Sequence, residues 1–172
     1  EIINTLNWIG SQTLKPTGHG YKTHGPITIK LASDESTLQY TAIAKEKPAI
    51  ALLLVVLAAN RDFNKVVEPN LIRIAKEYPN LKTVKDLSEL ITSKTRDEFF
   101  KIWGHKDEKK YNTLKNLIAK IKLIKGKSPS NKTDYELLNN WGKRADLIDC
   151  KNDAIGSIPN IAVATFQHLR MM

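Results

Sequence analysis

The chain has 172 residues, of which 41% are hydrophobic and 26% are charged. These ordinary globular proportions exclude wholesale disorder, and the length suffices for one well-buried core but not for two full domains. The net charge of +9 indicates a polyanionic partner, and nucleic acid is the obvious one. The single cysteine, Cys150, excludes an internal disulfide and a four-cysteine iron–sulfur or zinc site made by this chain alone. It also indicates a reducing, cytoplasmic compartment.

Residues 1–46 are predicted to form an N-terminal extension. Residues 2–9 suit a short helix. Apolar and polar residues then alternate over 27–31 and again over 38–42, on either side of a polar turn, which is typical of a β-hairpin. A single hairpin is only marginally stable, so we expect it to pack against helices.

Residues 47–172 are predicted to form a mainly α-helical domain. The apolar run 48–59 (PAIALLLVVLAA) is too short to span a bilayer and predicts a buried core helix. Asp62 is placed to cap the next helix, and Thr83 and Asp86 have the spacing of a capping box. Further helices are predicted at 84–91, 96–103, 109–124, 134–141 and 145–156, with a last one after Pro159. The chain begins without Met and stops within that last predicted helix, so we expect both ends to be trimmed.

The turn Ile158-Pro159-Asn160 leads directly into an apolar, helix-forming segment. Such a turn points several backbone N–H groups outward at the start of the second helix, which makes a ready anion site. In a basic chain we interpret the amides around residues 160–163 as a phosphate-binding hairpin. The alternative is an ordinary turn between two helices.

Five segments follow one another in an order and spacing that is similar to one known family. They are the apolar helix with its polar loop (52–62), a helix ending at Tyr78-Pro79, the capped start 83–87, Trp103-Gly104-His105 with Lys109-Lys110-Tyr111, and 158–165. Together they resemble the helix-hairpin-helix DNA glycosylase superfamily, which has the endonuclease III-like fold. The resemblance implies a helix-hairpin-helix glycosylase-like helical bundle, with a small N-terminal β-hairpin as an appendage.

The resemblance also implies a function. It predicts a base-excision-repair protein that binds double-stranded DNA, flips a damaged base and hydrolyses its glycosidic bond. Asn160 and Ala162 replace the two hairpin glycines of the family. Asn is expected to tolerate a left-handed backbone, whereas Ala at the second position is expected to cost backbone freedom. Ala164 replaces the nucleophilic lysine, so a Schiff-base lyase is disfavoured and a monofunctional enzyme is expected. The catalytic aspartate is expected beyond Met172. The alternative function is a non-catalytic nucleic-acid-binding module that has lost glycosylase activity.

Several residues are candidates for contact with DNA. Asn60 and Arg61 stand where such glycosylases fill the gap left by an extruded base. Alternatively, Asn60 caps its helix and Arg61 pairs with Asp62 or a neighbouring acid. Gln167 and Arg170 are expected to reach the backbone or bases. A monovalent cation held by hairpin carbonyls is a possible cofactor, and the histidines predict no metal site. The predicted DNA-binding residues are Asn60, Arg61, Ile158, Asn160, Ile161, Ala162, Val163, Gln167 and Arg170.

Trp103, His105 and Tyr111 are candidates for a base pocket, in which aromatic rings stack on a flipped base. The alternative, which is favoured for Trp103, is that these aromatic residues belong to the core. The basic stretch comprises lysines 106, 109, 110, 115, 120, 122, 125 and 127. It predicts affinity for phosphates without sequence specificity, or simply a solvated helix face. The acids that flank the last helices, none of them singled out as a base, are Asp134, Asp146, Asp149 and Asp153.

Overall fold

The computed structural model describes residues 41–129 and 131–172, except for the side chain of Asn64. The chain divides into two units, Glu1–Gln39 and Tyr40–Met172, and the described residues belong to the second. The described residues are mainly helical and include no β-strand. The predicted mainly α-helical domain is therefore confirmed.

The predicted N-terminal helix and most of the predicted β-hairpin lie outside the described residues. Residues 41–46 are described, and they form a helix, α1. The strand predicted over 38–42 is therefore wrong at residues 41 and 42. A few alternating residues are weak evidence for a strand, because a short run of this kind is also compatible with a helix. In α1 it is Ala44 that enters the core.

Further helices follow α1 among the described residues. They are α2 (Pro48–Ala58), α3 (Glu68–Glu77), α4 (Val84–Ser93), α5 (Arg96–Trp103), α6 (Glu108–Gly126), α7 (Asp134–Arg144) and α8 (Val163–Arg170). Every helix predicted between residues 48 and 141 is confirmed. A π-helical turn, Phe63–Val67, leads into α3, and the Asp62 carboxylate caps that turn by accepting from the Lys65 N–H at 3.0 Å, as predicted.

Helix α2 lies at the centre of the described unit. Ten of its residues, from Pro48 to Leu57, are buried, because helices α3, α4, α6 and α8 all pack against it. A helix that is apolar on all sides is stable in water only when it is covered in this way. At its N-terminal end, the Ala49 N–H donates to the Lys82 carbonyl at 2.9 Å.

The starts of the helices around α2 follow from local sequence. Thr83 begins α4 with the predicted capping box, and Thr95 and Thr133 begin α5 and α7 in the same way. Helix α5 ends at Gly104, whose φ of 75° is left-handed. Asp107 caps α6 through the Lys110 N–H at 3.1 Å.

The prediction of a helix over residues 145–156 is wrong. A single 3-10 turn, Cys150–Asn152, and a series of other turns occupy this segment. The Asp146 carboxylate accepts from the Ile148 N–H at 2.8 Å, and the Asp153 carboxylate accepts from the Ile155 N–H at 2.7 Å. These local side-chain bonds compete with helical backbone bonds, which is why an aspartate-rich stretch favours turns.

The buried carboxylate of Asp134 joins three helices, and its loss is expected to destabilise the protein. The side chain is 3% exposed, and it accepts from the Val84 N–H at 2.8 Å and from Lys125 Nζ at 2.6 Å. We expect Asp134→Ala to lower the free energy of unfolding by about 2–3 kcal/mol, because a buried N–H loses its acceptor and a lysine loses its partner. Urea unfolding measures the change.

Lys125→Met is the control, since the Lys125 side chain is 47% exposed and the Val84 bond survives. We expect it to cost about 1 kcal/mol or less. Equal losses for the two variants would contradict the assigned role of the Val84 bond.

Candidate nucleic-acid interface

A cleft of about 210 Å³ lies where the C-terminal end of α2, the first turns of α6 and the turn before α8 meet. The residues that line it are Val56, Ala59, Asn60, Arg61, Asp107, Lys109, Lys110, Thr113, Asn160 and Thr165. The fold thus brings together Asn60, Arg61 and Asn160, which are predicted DNA-binding residues from distant parts of the chain. We call this feature the α2–α6–α8 cleft.

Two asparagines with left-handed backbones shape the α2–α6–α8 cleft. Asn60 has a φ of 57° and Asn160 a φ of 69°, and they are the non-glycine residues with positive φ in the described part of the chain. Asparagine tolerates this region better than most residues, so the tolerance predicted for Asn160 is confirmed. Ala162 is extended, with a φ of −85°. The backbone cost predicted for Ala162 is therefore wrong.

The start of α8 leaves several backbone amides available. Ala162 is the N-cap residue and provides no side-chain cap. The Phe166 N–H donates to the Ala162 carbonyl, whereas the amides of residues 163–165 have no acceptor within the described chain. Thr165 is 6% exposed and lines the cleft, and its hydroxyl has no hydrogen-bond partner among the described residues. Unpaired amides and a hydroxyl at the positive end of a helix suit an anion.

The two isoleucines of the turn do not present their side chains to a partner. Ile158 is 4% exposed and Ile161 is 2% exposed. The Ile161 N–H is already used, because it donates to the Ile158 carbonyl at 3.1 Å. These contacts do not support the prediction that the two residues contact DNA, because their buried side chains hold the turn against the core. Val163, in contrast, is 51% exposed at the start of α8.

Protein donors lie beside the turn carbonyls that are predicted to hold a monovalent cation. The Pro159 carbonyl accepts from Thr113 Oγ1 at 3.1 Å, and the Ile161 carbonyl accepts from Lys151 Nζ at 3.2 Å. The Ile158 carbonyl accepts the Ile161 amide. Three carbonyl oxygens of the turn therefore have protein donors, and one of these donors is itself a cation.

Arg61 is held by a histidine. Its Nη2 lies 3.2 Å from His105 Nε2, and Asp107 Oδ2 lies 3.6 Å from the same ring nitrogen. Burial, together with the positive charges of Arg61 and Lys110, lowers the pKa of His105, while Asp107 acts in the opposite direction. A neutral imidazole accepts a hydrogen bond from Arg61 at Nε2. The alternative in which Arg61 pairs with Asp62 is not observed, since the Asp62 carboxylate caps the turn before α3.

Lys110 extends from α6 to the C-terminal end of α2. Its Nζ donates to the Leu57 carbonyl at 2.9 Å and to the Ala59 carbonyl. Burial and the nearby Arg61 lower the pKa of Lys110 to about 8, although Asp107 opposes the shift. Burial alone raises the pKa of Asp107, but backbone N–H donors and the neighbouring cationic groups hold it below its usual value. Asp107 is therefore an ionised carboxylate at neutral pH.

The predicted base pocket does not form around Trp103 and Tyr111. They are 1% and 7% exposed, and both rings pack against Phe99, with centroid distances of 5.4 and 5.6 Å. The core alternative is correct for Trp103 and extends to Tyr111. His105 does not line the α2–α6–α8 cleft, but it contacts Arg61, which does.

Arg170 binds the protein rather than projecting outward. Its Nη1 donates to Gln167 Oε1 at 3.0 Å, and its Nε donates to the Gly142 carbonyl at 3.4 Å. Helices α7 and α8 approach closely here, since a Cβ on Gly142 would lie 2.8 Å from the Arg170 carbonyl oxygen. The prediction that Gln167 and Arg170 reach DNA is not supported by these contacts, which fasten α8 to α7.

The basic stretch is less continuous than the sequence predicts. Lys110 and Lys125 bind protein oxygens, Lys122 donates to Ser88 Oγ at 2.5 Å, and Lys115 lies over the Tyr111 ring. Lysines 106, 109, 120 and 127 have no partner within the described residues. Of these, Lys109 lines the cleft.

Asp107 is the acidic residue of the cleft, and it was not among the acids considered from the sequence. Asp134, Asp146 and Asp153 accept structural hydrogen bonds, and Asp149 accepts one from the Asn152 side chain. Asp107 instead lines the α2–α6–α8 cleft. The sequence pattern that could have identified Asp107 is an aspartate at the N-cap position, directly before a lysine-rich helix.

Comparison with protein-family models, with curated proteins and with solved structures finds no match for this chain. Residues 41–129 and 131–172 contain no helix that is long and apolar enough to cross a membrane. The same residues contain no group of three or more His, Cys, Asp or Glu side chains suited to a metal ion.

The pKa of His105 is expected to respond to Arg61. In the wild type, the NMR titration midpoint of His105 should lie below 6.5. Between that midpoint and pH 6.5, His105 is therefore protonated to a greater extent in the unfolded chain than in the folded chain. The contribution of His105 to stability is complete above pH 6.5 and falls as the pH drops through the folded pKa. We expect Arg61→Gln to raise the midpoint, because a neighbouring positive charge is removed.

His105→Gln identifies the resonance by its disappearance. A midpoint that is unchanged in Arg61→Gln would contradict the contact between Arg61 and His105.

Proposed function

We propose that this chain is a DNA-binding protein of base-excision-repair type, which binds a duplex phosphate at the start of α8. The observation that carries the proposal is the set of unpaired amides at residues 163–165 beside the hydroxyl of Thr165, which has no hydrogen-bond partner among the described residues. A phosphate oxygen accepts hydrogen bonds from such donors, and the positive end of the helix favours its charge.

The other residues of the α2–α6–α8 cleft support a nucleic-acid partner rather than a small anion. Lys109 adds a cation without a protein partner in the described chain, and Arg61 adds a guanidinium held in place by His105. The Asn60 side chain is exposed and has no hydrogen bond within the described residues. With a phosphate at α8, Asn60 and Arg61 are the side chains suited to base edges or to the gap left by an extruded base.

The proposed chemistry is hydrolysis of the glycosidic bond of a damaged base, with Asp107 as the group that activates water. Asp107 is the carboxylate among the described residues that line the cleft, and its lowered pKa keeps it ionised. The alternative function is binding without catalysis. It is favoured by one observation: Asp107 Oδ1 already accepts from the Lys110 amide as the cap of α6, so one carboxylate oxygen has a structural role.

Ala162→Asp is expected to abolish most DNA binding while keeping the fold. Aspartate is a good N-cap, so its carboxylate will accept the unpaired amides of α8 and repel phosphate from the same place. We expect the affinity for duplex DNA to fall at least roughly 10-fold, with α8 as stable as before or more so. Fluorescence anisotropy over a range of salt concentrations measures the affinity, and thermal unfolding measures the stability.

Asn80→Asp is the matched control, because it makes the same change in net charge at the opposite end of α2. Residue 80 is exposed in the loop that leads to Lys82, whose carbonyl binds the N-terminal end of that helix. We expect this variant to bind DNA within about twofold of the wild type. An affinity that hardly depends on salt, or that falls equally in both variants, would overturn the proposed binding mode.

A panel of duplexes, each with one damaged base, separates the enzyme from the binding-only alternative. Incubation followed by hot alkali cleaves the strand wherever a base has been released. We expect wild-type protein to release one class of base, and Asp107→Asn to reduce the rate at least roughly 100-fold with unchanged affinity, because asparagine keeps the cap but cannot take a proton. Binding without release across the panel would support the non-catalytic module.

A further inference from the structure

One ring nitrogen of His105 lies between an arginine and a carboxylate. Arg61 Nη2 is 3.2 Å from His105 Nε2, and Asp107 Oδ2 is 3.6 Å from the same atom. The His105 side chain is only 13% exposed, so water competes little for this nitrogen. A ring nitrogen carries either a lone pair or a proton. It can therefore accept from Arg61 or donate to Asp107, but it cannot do both.

The geometry is that of the neutral histidine ring. A guanidinium has donors only, so its contact with Nε2 requires this nitrogen to be the acceptor and places the ring proton on Nδ1. An ionised carboxylate is an acceptor only. At 3.6 Å, Asp107 Oδ2 lies outside hydrogen-bond distance of Nε2. Asp107 thus lies beside the nitrogen that holds Arg61, without bonding to it.

Protonation of the ring reverses these roles. The new Nε2–H can no longer accept from Arg61, and the positive ring repels the guanidinium. The same N–H is attracted to Asp107 Oδ2, which has to approach by less than about 1 Å to form a charge-assisted hydrogen bond. Asp107 Oδ1 already accepts from the Lys110 N–H at 3.1 Å, so the carboxylate is anchored beside the ring.

We propose that His105 is a pH switch that exchanges its partner: the neutral ring holds Arg61 at the α2–α6–α8 cleft, and the protonated ring binds Asp107 and releases Arg61. The contact with His105 is the side-chain bond that the structure gives to Arg61 within the described residues. Its guanidinium is therefore mobile in the cleft once the ring is charged. This switch belongs to the protein alone and does not require a nucleic-acid partner.

The charged groups around His105 determine the pH range of the switch. Burial and the positive charges of Arg61 and Lys110 lower the pKa of His105, whereas Asp107 raises it. The Trp103 ring, whose centroid lies 6.3 Å away, adds no charge. Lys110 has a pKa of about 8 and is mostly charged below pH 7. Although burial opposes the shift, the pKa of Asp107 lies below its usual value, so this carboxylate stays ionised down to pH 5. The switch therefore follows the titration of His105, at a midpoint below pH 6.5.

NMR of the ¹⁵N-labelled 172-residue chain tests the switch. At pH 7, long-range ¹H–¹⁵N spectra should show the neutral His105 ring with its proton on Nδ1. As the pH falls through the His105 midpoint, we expect the order parameter of the Arg61 Nε–H bond to fall below about 0.6. Arg73 is the internal control, because its guanidinium donates to the Ile102 carbonyl at 2.5 Å and to Glu77 at 3.1 Å. We expect the order parameter of Arg73 to stay constant between pH 5 and pH 7.

Two variants separate the two halves of the exchange. His105→Gln provides an amide oxygen that can accept from Arg61 but does not titrate, so the order parameter of Arg61 should become independent of pH. Asp107→Asn keeps the cap of α6 and removes the negative charge that stabilises the protonated ring. We expect it to lower the His105 midpoint.

Three results would overturn the switch. They are a neutral His105 ring with its proton on Nε2, an Arg61 order parameter that stays constant through the wild-type midpoint, and the same pH-dependent loss of order in His105→Gln. The first two need no variant, so the test holds even if a variant proves unstable. These measurements contain no DNA, and their failure leaves the proposed function to be decided by the salt-dependent binding of duplex DNA.

Discussion

The burial of α2 from Pro48 to Leu57 is the constraint on which the other described helices depend. A helix with ten buried residues cannot solvate the carbonyl groups of its last turn, and buried carbonyls without donors are costly. Lys110 provides the donor for both Leu57 and Ala59. This contact fixes the first turn of α6 against the last turn of α2, and the α2–α6–α8 cleft lies beside it.

The same contact explains the electrostatics of the cleft. Lys110 enters a partly buried position to serve α2, and there it lies close to Arg61. Two nearby cations in a site of reduced solvation disfavour further positive charge, so the pKa of His105 falls and the neutral ring accepts from Arg61. Asp107 partly balances these charges while capping α6. The proposed phosphate site at the start of α8 shares the α2–α6–α8 cleft with these charged groups.

Local signals in the sequence predicted the helices well where capping and apolar spacing agreed. Thr83 with Asp86, and Gly104 after α5, mark helix ends through their own hydrogen bonds and backbone preferences. The segment 145–156 failed because its aspartates bind nearby amides, a competition that apolar spacing does not reveal. Trp103 and Tyr111 show the same limit for the site, since an aromatic residue at a helix end is equally compatible with a pocket and with the core.

The helical class, the buried α2, the positive charge and the tolerance of Asn160 for a left-handed backbone could all be predicted from the sequence, because they depend on composition and on neighbours along the chain. Which residues meet depends instead on how the helices pack. Asn60, Asp107 and Thr165 share one cleft because α6 and α8 both pack on α2, and contacts between distant segments leave no local pattern. Packing also buries Ile158 and Ile161 in the core and directs Arg170 to the Gly142 carbonyl, so that their side chains stabilise the turn or α8.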